Sequence, residues 1–217
     1  MKKIIILLIS SLFVFAQASA VGLKVGVAGN TGVFHATGVE NEGTEKHTED
    51  ATAVVGYSSI FAEVMVNDTF GFGFDWSPDE MDSETAENVQ DDLKGVDDGA
   101  SSQQTNTVKV SFENLAQAYI TINLGENLYV KGGVVDVDII TNENLETGST
   151  YGDTSMSGEV FGIGYDRELS NGVFVRVEGQ YLDFGSTSLT ATNNSDNKID
   201  LNNLEGLSAK IALLKAF

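Results

Sequence analysis

The stretch GLSAKIALLKAF, residues 206–217, alternates. Stepping back by two from Phe217 gives Lys215, Leu213, Ile211, Ala209 and Leu207, an almost wholly apolar set. The interleaved set, Ala216, Leu214, Ala212, Lys210 and Ser208, is small, mixed and charged. A period of two puts these sets on opposite faces of a β-strand, each in its own surroundings. The fold turns on which face meets water. Chain ends are ordinarily polar and frayed, so a final aromatic ring after an alternating run implies an apolar environment.

Seven more segments have strand character: 22–36, 51–66, 70–76, 107–124, 128–140, 157–169 and 173–185, with the last strand starting near residue 202. The separators alternate in kind. NDT (67–69), GEN (125–127) and SNG (170–172) are short and have hairpin chemistry, whereas the other connections are long and mostly acidic. Alternating short and long connections between an even number of long strands predict an all-β, eight-stranded antiparallel up-and-down transmembrane barrel with long acidic extracellular loops.

Sidedness rests on the mixed faces. In TVKVSFENLAQAYITINL (107–124) one face carries Val108, Val110, Phe112, Ala116, Ala118, Ile120 and Ile122, and the other Lys109, Ser111, Glu113, Gln117, Tyr119 and Thr121. FGFGFDW (70–76) sets Phe70, Phe72, Phe74 and Trp76 against Gly71, Gly73 and Asp75. A lipocalin-like shell and a membrane barrel share such alternation. Both charge signs at mid-strand and aromatic residues near strand ends favour a polar lumen inside a lipid-facing wall.

Composition narrows the function classes. The chain has 32 acidic residues, a net charge of −20, no Cys, one Pro and 23 Gly. Such acidity argues against nucleic-acid binding, which needs a basic footprint. Without Cys there is neither a disulfide nor a thiolate metal site. MKKIIILLISSLFVFAQASA (1–20) has a lysine-led start, a short apolar core and Ala18-Ser19-Ala20 at its end, the pattern of a cleaved bacterial signal peptide. Residues 21–217 are then the barrel domain.

The terminal strand resembles the C-terminal signal read by the outer-membrane assembly machinery, through Leu207, Ala209, Ile211, Leu213 and Phe217. LYVKGGV (128–134) and GYDRELSNGVFVRVEGQYLDFG (164–185) are similar to hairpins of the OmpA-like and opacity-protein-like porin superfamily of small outer-membrane barrels. Lys215 departs from that signal, but near a strand end its stem can snorkel to the interface. The resemblance implies a place in a Gram-negative outer membrane, outer-membrane lipids around the wall and the assembly machinery as a partner.

The face assignment puts Lys24, Lys109, Arg176 and Lys210 inside with Glu63, Asp75, Glu113, Asp136, Asp138 and Glu178. A lumen of eight strands is just wide enough for side chains to fill, so these charges are expected to pair and close it, with Arg176 as hub because its planar fork holds two carboxylates. His35 could meet Asp50 or Asp75, but no motif supports catalysis and no catalytic residues or cofactor are assigned. SPDEMDSETAENVQDDLKG (77–95) reads as a surface helix over 78–94: Ser77 as cap, Pro78 first, Glu80 completing a capping box and Gly95 as stop. The loops hold few cations (Lys46, Lys94 and Lys198) and would bind Ca²⁺ or Mg²⁺ weakly and collectively. Two function classes follow: a structural or surface-interaction barrel presenting acidic loops, or a narrow porin-like diffusion channel. A lipid-modifying enzyme is a weaker third.

Overall fold

The computed structural model describes residues 22–42, 45–82, 86–93, 101–144 and 149–217. The expected signal peptide over residues 1–20, and Lys94 and Gly95 of the expected helix, lie outside them. Every regular element among the described residues is a strand: β1 Gly22–Glu42, β2 Glu45–Met65, β3 Phe70–Trp76, β4 Met81–Asp82, β5 Ala86–Leu93, β6 Ser101–Asn123, β7 Leu128–Asn144, β8 Thr154–Ser170, β9 Val173–Thr190 and β10 Lys198–Ala216. All pairings are antiparallel. They run from β1 through β10, β9, β8 and β7 to β6, then across β3 and β2 back to β1, closing a barrel. Because β3, β4 and β5 pair in succession along β6, the barrel has eight lanes.

The short turns define the lower end. Asn171 and Gly172 both take positive φ, 50° and 74°, as a two-residue hairpin loop requires. The Asn67 side chain accepts bonds from the N–H groups of Thr69 and Phe70 and so holds the NDT turn. Closure is completed by the chain's last residue: Phe217 N–H donates to Leu23 O at 2.8 Å, and Leu23 N–H to Phe217 O at 3.3 Å.

At the upper end the strands outrun the sequence reading. Residues 37–42 and 45–50, expected as an acidic loop, continue β1 and β2, and the last polar loop shrinks because β9 reaches Thr190 and β10 begins at Lys198. The expected helix over 78–94 is not formed. Its described residues supply β4 and β5, paired to β6 from Met81↔Phe112 to Leu93↔Ser101. The free edge of β6 outcompetes local helix signals, a tertiary override of propensity. The expected first turn is diverted as well: the Ser77 N–H donates to Leu115 O at 2.8 Å, and Asp79 accepts the Ser58 N–H (2.5 Å) and hydroxyl (2.8 Å). Those two donors favour its charged form and hold its carboxyl below the usual range.

The wall inverts its polarity along the axis. In the lower half Val27, Ile60, Phe72, Ile163, Val177 and Ile211 point outward and are exposed, and polar side chains point in. In the upper half Val135, Val137, Ile139, Val160 and Leu182 are buried inside, while Glu159 and Asp183 are exposed outside. The lower half is the surface of a barrel made for lipid. The upper half is organised like a soluble barrel, with an apolar core and a wetted wall.

Candidate functional site: the ion network in the lumen

Four cations and four anions meet in the lower lumen: Lys24, Lys131, Arg176 and Lys210 with Glu63, Asp75, Asp166 and Glu178. Arg176, 2 % exposed, is the hub. Its Nη1 and Nη2 donate to the two Glu63 oxygens at 2.5 and 2.9 Å. Its Nε and Nη2 donate to the two Asp166 oxygens at 2.7 and 2.9 Å. Both carboxylates are held in the fork–fork manner that suits guanidinium. Lys24 adds a second cation to Asp166 at 3.1 Å, and the Tyr119 hydroxyl donates to Glu63 at 3.0 Å.

The second half is built on Glu178. Lys131 lies 2.8 Å from it and Lys210 at 3.6 Å. Lys210 also donates to Asp75, and the Tyr129 hydroxyl to Glu178. Lys131 donates to Gln117 at 3.0 Å as well. Aromatic rings join the halves: the Arg176 guanidinium carbon lies 4.4 Å from the Tyr129 ring centre, and the Lys131 ammonium 4.6 Å from that of Tyr119. Equal numbers of opposite charges, each with a partner, make a buried set of this size tolerable.

Glycine makes room for those rings. Gly164 pairs with Tyr129, and Gly73 with Tyr119. A Cβ on Gly164 would lie 2.3 Å from the Tyr129 hydroxyl, whereas one on Gly29 would meet nothing within 4 Å. Gly164→Ala is therefore expected to displace Tyr129 from Glu178 and cost about 1–3 kcal/mol, the usual range for overpacking. Gly29→Ala should change little, and urea unfolding in detergent compares the two.

Of the ten charges the sequence reading put inside, the structure brings six together in this network: Lys24, Glu63, Asp75, Arg176, Glu178 and Lys210. Lys109, Glu113, Asp136 and Asp138, expected inside, are not in the network. A bulge in β6 explains the first two. Asn114 has φ 55° and the β6–β7 register shifts between Glu113 and Ala116, so the inward parity changes from Gln117 and Tyr119 below to Val110 and Phe112 above. Lys109 instead meets Asp82 at 2.5 Å, with 36 % and 42 % of the two side chains exposed. In β7 the odd residues Tyr129, Lys131, Val135, Val137 and Ile139 point in. Asp136 and Asp138 therefore point out, accepting bonds from Ser157 at 2.6 Å and Asn114 at 3.0 Å.

Lys131 and Asp166 were missed. Lys131 shares the parity of Tyr129, a signal present in LYVKGGV. Asp166 is hidden by a second bulge: counting evenly from the SNG turn puts Arg167 opposite Arg176, but the shift between Glu168 and Ser170 brings Asp166 there. His35 Nδ1 lies 3.2 Å from Thr52 Oγ1, while Asp50 accepts from Thr37 and Asp75 from Lys210. In the terminal strand Leu207, Ala209, Ile211, Leu213 and Phe217 all lie on the exposed outer face.

Above the network the lumen is filled by apolar side chains, including Tyr57, Leu115, Val160, Leu182, Phe184 and Leu204. A small cavity of about 40 Å³ remains among Phe34, Ala53, Val55, Met81, Phe112 and neighbours. Below, a vestibule of about 580 Å³ opens at the lower mouth and reaches Lys24.

No family model and no curated protein matches the chain. Solved structures do. The outer membrane protein OprG from Pseudomonas aeruginosa aligns with TM-score 0.59 at 12 % identity, over 90 % of this chain and 96 % of that one. The outer membrane protein AlkL aligns with TM-score 0.51 at 12 % identity, over 93 % of this chain and 94 % of that one. The outer membrane protease OmpT from Escherichia coli aligns at TM-score 0.40 and 9 % identity over 93 % of this chain and 98 % of that one, too distant to bear on chemistry. The chain has the fold of the small outer-membrane β-barrel proteins.

Proposed function

We propose that the protein is a closed outer-membrane barrel with a structural and surface-interaction role. It anchors through its lower half and carries a polar β-sheath above the lipid. The observation that supports this best is the filled lumen, an ion network under an apolar cluster. The outer wall would take outer-membrane lipids, and the strand ending at Phe217 would address the chain to the assembly machinery. Ca²⁺ or Mg²⁺ would screen the sheath weakly and collectively. Glu159, Asp183 and Glu205 stand directly opposite one another on three adjacent strands, where like charges repel.

The competing reading is a narrow diffusion channel, favoured by the lower vestibule that leads to Lys24. Swelling of liposomes in solutions of small neutral sugars separates the two. A closed barrel leaves swelling at the rate of protein-free liposomes. Swelling that rises with the amount of protein would establish the channel instead.

A further inference from the structure

Above its lower third, the barrel wall has a seam. The β2–β3 ladder ends at Ile60↔Trp76. From there upward, among the described residues, β2 pairs only with β1, as far as Glu45. The neighbouring lane stays with β6 through β4 and β5. Among the described residues, one side of β2 and the facing side of β4 and β5 therefore carry main-chain groups that no ladder uses. The first is the Ser58 N–H, and it is met by the Asp79 carboxylate instead of a strand. Main-chain groups in a strand alternate sides, so Gly56, Val54 and Thr52 share the seam side with Ser58. Val54 is 74 % exposed.

The seam also has an apolar inner wall. Ala53 and Val55 of β2 and Met81 of β4 line the small cavity together with Phe112. Its rim is acidic: Asp79, Glu80 and Asp82 lie on one edge, with Lys109 paired to Asp82, and Asp50 of β2 accepts from Thr37 of β1.

We infer that the seam is a docking site for an extended peptide segment of a partner, alternating apolar and polar residues with cationic residues at its ends. The peptide adds a strand to the free edge of β2, its backbone satisfying the row from Thr52 to Gly56, above the Ser58 N–H that Asp79 already holds. Every second side chain faces the apolar inner wall, and the flanking cations meet the acidic rim. A second copy of this chain would bring the same acids against themselves, and a small apolar solute would leave the edge groups unpaired. The inference rests on the surface-interaction reading and gives that reading its partner class.

The test uses the full chain in detergent micelles and a synthetic probe of about nine residues, a typical strand length, alternating valine and threonine with a lysine at each end. Amide hydrogen exchange is followed over Thr52–Gly56. The expected result is exchange slowed about tenfold or more by the probe, and a glutamate-ended probe weaker by a similar factor. A probe interrupted by proline should give no protection, since it lacks a main-chain donor. Val54→Pro should abolish protection while heat-modifiable migration on gels persists, because its N–H faces the seam and not β1. The inference is overturned by absent protection, by equal protection from the proline-interrupted probe, by protection that grows with protein concentration alone, or by protection from a small alkane. Failure of the probe in a preparation that does not swell liposomes sinks the docking site only. Swelling sinks the closed-barrel reading itself.

Discussion

Replacing Arg176 by alanine is expected to destabilise the barrel by about 3–5 kcal/mol, the usual cost of removing one partner from a buried ion pair. The substitution strips the guanidinium from two carboxylates at once, Glu63 and Asp166. Asp166 keeps Lys24, but among the described residues Glu63 keeps only the Tyr119 hydroxyl. The loss comes mainly from stranding buried charge without its partner. A neutralised variant, Glu63→Gln with Asp166→Asn and Arg176→Met, should therefore be more stable than Arg176→Ala alone, although it removes more polar contacts. Urea titration monitored by heat-modifiable migration measures both. An Arg176→Ala midpoint within the small range of ordinary surface substitutions would show that the network does not hold the barrel.

Deleting Phe217 should lower the amount of protein assembled in the membrane far more than it lowers the stability of protein refolded in micelles. In the folded barrel the residue contributes two main-chain bonds to Leu23 and an outward ring, 73 % exposed, lying 5.7 Å from the Lys215 ammonium. Two hydrogen bonds account for about 1–3 kcal/mol, a loss a folded barrel can survive. The larger effect falls on assembly, where the terminal ring acts with Leu207, Ala209, Ile211 and Leu213 as the address. Immunoblots of membrane fractions set against refolding yields separate the two effects. Equal membrane levels of the full-length and truncated chains would remove the address role and leave Phe217 as a closing contact.

What the sequence made legible is what simple alternation controls. The lipid-facing sets of β1, β3, β9 and β10 follow from counting by two, and so do Arg176, Glu178 and Lys210 inside. What it concealed depends on places where counting by two fails. The extra residue at Asn114 reverses the parity of β6 and sends Lys109 and Glu113 outside. The shift after Glu168 exchanges Arg167 for Asp166 opposite the hub. The third obstacle is the inversion of polarity. In the upper half of β7 acids point out and valines in, so a rule taken from the membrane half assigns Asp136 and Asp138 to the wrong face. The acidic runs read as loops and as a helix for a related reason. Their polarity marks a wetted wall, and pairing with a neighbouring strand decides their backbone.

The central claim is that four cations and four anions, with apolar side chains above them, close the lumen of this barrel. Single-channel recording of the purified full-length protein in planar bilayers tests it most directly. The wild type should show no steady conductance, and Arg176→Ala should show transient openings as the hub is lost. Steady wild-type current of the size carried by a water-filled tube, unchanged by Arg176→Ala, would contradict the claim.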